Sequence, residues 1–307
     1  MHIGVSVGRT PLPTQIEAID RYLEYAGPLE LDAIELDFSV QGHFPNYAPL
    51  PYPWDDAPAW AEARKRLDAF VLAGAHLPFQ DTNPFDANES VAQDALFQHV
   101  NAIERAGDLG LLYAVIHMLG APAGAGRETW VPLWTDYLGG LSEFARRAGI
   151  ILCVENTSHG FFLRDLAQVL RQIDSPWLRM TLDIGHAAVP GSRTAQLTGC
   201  AHEGYESMDD FVRREFELIY SLHIHDNDGR SDQHLMLGDG AGDFGYLRTL
   251  HALGFAGPWI LEHYVEDWAR LPTAVGRLRD LVGSMDAGAA RRENESKCIS
   301  WCLRGFV

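Results

Sequence analysis

The chain alternates eight short apolar runs with amphipathic stretches, and this alternation constrains its fold more than any other feature. The apolar runs read HIGVSV, AIELDF, FVLAGAH, AVIHM, ILCVEN, MTLDIG, SLHIHD and WILEH. Between them lie TQIEAIDRYLEYAG, AWAEARKRLDAFV, SVAQDALFQHVNAIERAGDLG, WTDYLGGLSEFARRAG, FLRDLAQVLRQI, SMDDFVRREFELI, FGYLRTLHALG and ARLPTAVGRLRDLVG. Apolar residues in these stretches recur at spacings of three and four, as a helix needs to cover one side of a sheet. Glycine closes several of them, as in RAGDLG, RRAGI and ALGF, and supplies a left-handed cap. Eight strand-then-helix units in 307 residues predict a single-domain α/β fold, a closed (β/α)8 barrel over residues 1–284. No glycine-rich phosphate turn follows the first strand, which argues against a doubly wound open sheet. From about residue 285 to 307 the periodicity is lost, and a poorly ordered tail is expected.

Such a barrel carries its active site at the C-terminal ends of its strands. Six of the apolar runs end there in residues that can bind a metal: His76, His117, Glu155, Asp183 with His186, His223 with His225, and Glu262. A seventh cluster, Asp232-Gln233-His234, sits in the loop after SLHIHD. Ligands at the same end of successive strands imply one shared site, and imidazole with carboxylate suits Zn2+, Mn2+, Co2+ or Fe2+. Glu155, Asp183, His223 and Glu262 form the most informative set, since three carboxylates and one imidazole suit a single Mn2+, Co2+ or Mg2+ with positions open to substrate oxygens. Asp226, in the spacing HxxD, is the carboxylate expected to orient His223. His225 then orients the site or binds substrate, and exchange of the two histidines' roles stays open. Glycine within DIGH is expected to bend the chain so that Asp183 and His186 face one centre. The glycines of LGDGAGDF are expected to let backbone approach a ligand.

Composition narrows the chemistry. Hydrophobic residues make up 47% and aromatics 10%, enough for a large core. No apolar run approaches the roughly 20 residues that span a bilayer, and MHIGVSVG enters a strand without the pattern of a secretory signal, so a cytoplasmic location is expected. Cys153, Cys200, Cys298 and Cys302 are too scattered for a disulfide framework. The only lysines, Lys65 and Lys297, fall on a polar helix and in the tail, leaving no plausible Schiff-base nucleophile. A formal net charge of −18 argues against a nucleic-acid partner. A small-molecule carbohydrate is the expected partner, with no membrane.

Two strand-to-helix loops exceed what a connection requires. One, roughly Ser39 to Asp56, carries Phe44, Tyr47, Tyr52 and Trp54; the other, roughly Ala188 to Met208, carries Arg193, His202 and Tyr205. Both are expected over the barrel mouth, where an aromatic face such as Trp54 would stack on a sugar ring. Arg230 is a further substrate-binding candidate, and Arg9, Arg164, Arg193 or Arg230 would serve a phosphorylated substrate.

At VEN, DIGH, HIHDNDG, DQHLMLGDG and LEH the chain resembles the xylose-isomerase-like TIM-barrel superfamily, which holds sugar isomerases, ketose epimerases and apurinic-site endonuclease IV. The resemblance covers about residues 1 to 284. In the isomerase and epimerase branch it implies a metal quartet of Glu155, Asp183, His223 and Glu262. Glu155 and Glu262 would also exchange protons at the carbons flanking a substrate carbonyl, and His186 would hold substrate. In the endonuclease branch His76, His117, His186, Asp232 and His234 would join the quartet in a three-zinc phosphodiesterase site. The expected function is therefore a divalent-metal sugar isomerase or epimerase with one metal, Mn2+, Co2+, Mg2+ or Zn2+. The alternative is a three-zinc endonuclease-like phosphodiesterase, and a further one is a barrel that binds metal and ligand without turnover.

Overall fold

Strand pairing runs unbroken around the molecule. The strands β1 (His2–Ser6), β2 (Ala33–Asp37), β3 (Leu72–His76), β4 (Tyr113–His117), β5 (Ile151–Glu155), β6 (Leu178–Asp183), β7 (Ile219–Ile224) and β8 (Pro258–Leu261) pair in chain order. β8 returns to β1, so the parallel sheet closes into a (β/α)8 barrel. This computed structural model describes residues 1–7, 15–38, 57–79, 82–118, 126–157, 163–189, 204–263 and 268–283. The expected tail and the loop holding Phe44, Tyr47, Tyr52 and Trp54 lie outside the described residues, as do Arg9, Arg193 and His202.

Helices α1 (Gln15–Ala26), α2 (Ala57–Leu67), α3 (Glu89–Asp108), α4 (Arg127–Ala148), α5 (Leu163–Ile173), α7 (Met208–Arg214), α8 (Leu247–Ala252) and α9 (Leu271–Val282) follow the amphipathic stretches. A five-residue helix, α6 (Ile184–Ala188), is added directly after β6. The main core lies between sheet and helices, where Ile3, Ile34, Leu36, Ile116, Leu152 and Leu182 meet Ile19, Ile103, Leu138 and Leu166. Smaller clusters occur apart from this shell, one of Ala33, Leu72 and Ile260 and another of Tyr113, Val115, Cys153 and Tyr220. Burial on both faces explains why the strands read as continuous apolar runs. Among the described residues no helix is long and apolar enough to cross a membrane.

The helix boundaries depart from the sequence reading in two places. α4 starts at Arg127, ahead of the expected Trp134, and carries Pro132 inside it. Proline lacks the N–H that would bond the carbonyl of Glu128, but buried Trp130, Val131 and Trp134 anchor this segment. The helical stretch beginning at Met208 ends at Arg214 and continues as a 3-10 turn over Phe216–Leu218. At the end of α4, Gly149 takes φ 72°, and its N–H meets the carbonyls of Ala145 and Arg146, the left-handed cap expected of RRAGI.

Register then sets neighbours at the C-terminal rim. His117 pairs with Glu155 across β4 and β5, and Asp183 pairs with His223 across β6 and β7. His76, His117, Glu155 and Asp183 are the last residues of their strands, His223 is the last but one of β7, and Glu262 follows β8 directly. The fold thus brings side chains from six strands to one end of the barrel.

Candidate metal centre

The rim side chains form compact groups, each a set of donor atoms lying within 4.8 Å of one another. One group is His76, His117 and Glu155; a second is Asp183, His223 and Glu262; a third is His186, His225, Asp232 and His234. Glu155, Asp183 and His186 form a further combination that links them. Every sequence-expected ligand is therefore present in the cluster. His186, expected to bind metal or substrate, faces both Asp183 and Asp232. Its Nε2 lies 2.9 Å from Asp232 Oδ2, and its Nδ1 lies 3.4 Å from Asp183 Oδ2.

Metal–ligand bonds of about 2.0–2.2 Å place neighbouring donors about 3 to 3.5 Å apart. His76 Nε2 and His117 Nε2 are 2.9 Å apart, and Glu155 Oε2 lies 3.4 and 3.1 Å from them. His223 Nδ1 lies 3.2 Å from Glu155 Oε2, 3.2 Å from Glu262 Oε2 and 3.8 Å from Asp183 Oδ2. Asp232 Oδ1 lies 3.4 Å from His234 Nε2. The spacings match those of coordination polyhedra, although carboxylate–imidazole hydrogen bonds span the same range.

Tautomers bear on the donor set. A carbonyl oxygen only accepts, so a ring nitrogen bonded to one must carry the proton. His76 Nδ1 donates to Leu77 O at 2.9 Å, His186 Nδ1 to Asn156 O at 3.0 Å, and His234 Nδ1 to Glu262 O at 2.8 Å. In the neutral rings each Nε2 is then a bare lone pair pointing at other donors. That arrangement repels itself unless protons or cations lie between, and it is how metal-binding histidines are held. The residues present therefore fit a divalent cation.

Electrostatics carry the same imprint. Burial opposes charging His186, yet Asp183, Asp232 and Glu155 hold its pKa well above the usual range. Burial likewise opposes His223, and Glu35, Glu262 and Glu155 outweigh it. Burial pushes the Glu155 carboxyl up, but His117 and His223 bring it well below the ordinary carboxylate value. Burial dominates at His117, which is lowered.

Local sequence explains the placement. Asp183 caps α6, its Oδ1 accepting the His186 N–H at 2.6 Å, so the DIGH turn is a helix start that aims His186 inward. Gly185 serves packing more than bending: a Cβ there would overlap the His225 ring. His225 Nε2 donates to Asp183 Oδ2 at 3.0 Å, and its ring stacks on His234 with centroids 3.9 Å apart. His234 itself takes the left-handed φ of 47°, uncommon for a side-chain-bearing residue.

Four expectations change. Asp226 does not orient His223: its carboxylate accepts the N–H groups of Asn227, Gly238, Gly240 and Gly242 at 2.8–3.1 Å. The LGDGAGDF glycines accordingly approach Asp226; a Cβ at Gly240 would overlap both Asn227 O and Asp226 Oδ1. Tyr205 packs on Phe211 of α7, and its hydroxyl donates to Glu215 at 2.5 Å, so its phenol is engaged there. Arg230 is exposed in a turn, with its backbone N–H bonded to Asp228. Glu35 is a site residue that the sequence reading passed over. It is fully buried on β2, with Oε1 3.1 Å from His223 Nε2. Its one signal was an acidic residue within the apolar run AIELDF.

A family model described as a xylose isomerase-like TIM barrel matches residues 23–283. The protein MJ1311 of Methanocaldococcus jannaschii is 28% identical over 223 residues, 66% of this chain and 67% of that protein. A D-tagatose 3-epimerase-like protein shares the fold with a TM-score of 0.65 at 21% identity, covering 97% of this chain and all, 100%, of the other. The TTHB071 protein of Thermus thermophilus, in crystals soaked with ZnCl2, superposes with a TM-score of 0.68 at 23% identity over 94% of this chain and 100% of that one.

Proposed function

Because the chain belongs to the xylose isomerase-like TIM barrel family, we propose that it is a divalent-metal-dependent isomerase or epimerase of a small sugar or ketose. One observation carries this reading. Glu155 and Glu262, from β5 and the end of β8, each set a carboxylate oxygen 3.2 Å from the same His223 nitrogen. Together with Asp183 they are the residues that would hold the cation. A cation bound there supplies a positive charge that polarises a substrate carbonyl and its neighbouring hydroxyl.

The two glutamates are placed unequally. Glu155 Oε2 faces His76, His117 and His223, and its Oε1 lies 3.0 Å from His186 Nδ1, so the carboxylate is tied on both oxygens. Glu262 Oε2 faces His223 at 3.2 Å and His234 at 3.9 Å. Glu262 is the base that takes a proton from the carbon beside the carbonyl. Glu155 handles the proton on the opposite side. His186 and His225 would hold substrate hydroxyls beside Asp183.

The test is solvent exchange. A panel of ketoses incubated in D2O with the metal-loaded protein should take up deuterium at a carbon flanking the carbonyl. Glu262→Gln should slow that uptake by about 10^2-fold or more; unchanged uptake would contradict the role given to Glu262.

A second reading is favoured by a specific observation, the two further donor groups His76/His117/Glu155 and His186/Asp232/His234. They make a three-metal phosphodiesterase the alternative. Three zinc ions per chain and cleavage of abasic-site DNA would support it, whereas the net charge of −18 argues against a nucleic-acid substrate.

A further inference from the structure

We propose that Glu35 is a positioning residue for the metal centre, fixing His223 in the tautomer that leaves Nδ1 bare toward Glu155, Asp183 and Glu262. The inference rests on the reading that this centre holds a cation.

Glu35 lies on β2 and His223 on β7, 188 residues later, so the contact crosses the barrel. Both side chains are 0% exposed. Glu35 Oε1 and Oε2 lie 3.1 and 3.3 Å from His223 Nε2. A carboxylate accepts and does not donate, so the Nε2 proton belongs to this contact. The opposite nitrogen, Nδ1, is buried and faces three carboxylates, Glu155 and Glu262 at 3.2 Å and Asp183 at 3.8 Å. Carboxylate, imidazole and cation in line is the arrangement that fixes ring orientation and strengthens a histidine as ligand.

Burial makes the placement costly unless it does something. An ionised carboxylate taken out of water loses solvation that only a well-placed partner offsets. Among the described residues no arginine or lysine forms a salt bridge with Glu35; His223 does. The surroundings are built to admit it. Glu35 pairs in register with Gly74, and a Cβ on Gly74 would overlap the Tyr113 ring, so glycine makes room for the phenol on that side. Burial, and after it the charge of Glu35, pushes the Tyr113 phenol well above its usual range. Asp226, the nearer carboxylate in sequence, is spent on the backbone of residues 227–242. His223 is also set apart from His76, whose outer nitrogen rests on the neutral carbonyl of Leu77. The charged backing should make the His223 position a strong one.

The experiment compares wild type, Glu35→Gln and Glu35→Leu, each stripped by a chelator and reloaded. Zinc affinity is read by competition with a chromophoric chelator, and the Co2+-loaded proteins are read by their visible absorption. Circular dichroism checks folding. Glu35→Gln, nearly isosteric, should weaken the tightest zinc site about 10- to 100-fold and shift the Co2+ bands, with Glu35→Leu weaker still. A further readout is the 15N signature of the His223 ring in the zinc-loaded wild type, which should show Nε2 protonated and Nδ1 bound. If Glu35 were merely structural, the Co2+ spectrum of Glu35→Gln would match that of the wild type. Wild-type affinity and spectrum in a folded Glu35→Gln would overturn the role of Glu35 while leaving the centre standing. A wild type that takes up no zinc or cobalt would overturn both.

Discussion

The middle and the rim of the centre are built differently from the same kinds of side chain. In the middle, Asp183, His223 and Glu262 are buried at strand ends, and His223 is backed by the carboxylate of Glu35. At the rim, Asp232 and His234 come from a loop, the Asp232 side chain is 26% exposed, His234 is backed by a backbone carbonyl, and His186 Nδ1 by a carbonyl with Glu155 beside it. Strand ends in a closed barrel are fixed by the sheet ladder, whereas the loop is fixed by Asp226 and by its antiparallel bridge to Leu235. The difference teaches that one cluster can combine a tight, preorganised position with looser ones. We expect a cation to be held most firmly in the middle and to exchange at the rim.

Asp183→Asn is the hardest blow to that contrast. Asparagine keeps the helix cap on His186 but removes the charge shared with His223 and His225. Metal affinity in the middle should fall about 10^2-fold or more by chelator competition. Gly185→Ala comes next. Its Cβ would overlap the His225 ring, an overpacking that should cost about 1–3 kcal/mol in denaturant unfolding. Asp226→Ala acts at the rim alone. It strips four backbone N–H groups of their acceptor, at a cost of about 1–3 kcal/mol. Amide exchange at Gly238, Gly240 and Gly242 should quicken and the rim metal should be lost, with the middle affinity kept. Equal loss at both places would break the distinction.

The smallest effect is a pH slope. Despite burial, His186 and His223 are raised above their usual range by Asp183 and by Glu35 respectively, with other carboxylates adding. A histidine whose folded pKa exceeds its unfolded value, about 6.5, stabilises the chelated protein fully below that pH. The contribution is lost as pH rises through the folded values. The chelated protein should therefore lose denaturant resistance above about pH 6.5. Metal uptake in weak buffer should release protons, and affinity should climb with pH.

Much of the fold was legible because each strand is buried on both faces and each helix on one, so periodicity reports topology directly. His76, His117, Glu155 and Asp183 were legible for a simple reason: the end of an apolar run is the end of a barrel strand. Glu35 was not, because nothing in AIELDF says that its side chain crosses the barrel to a strand 188 residues away. Asp226 misled because spacing along the chain measures nearness to His223 and not the pull of four unpaired N–H groups. α6 was too short for any period to show, and the glycine within it answers to His225, a contact across two strands.

Metal content per chain, measured by elemental mass spectrometry before and after dialysis against a mild chelator, tests the centre most directly. About one divalent metal per chain should survive dialysis in the wild type and be absent from Asp183→Asn. A wild type that holds no metal, even after reconstitution, would contradict the assignment of these residues to a metal centre.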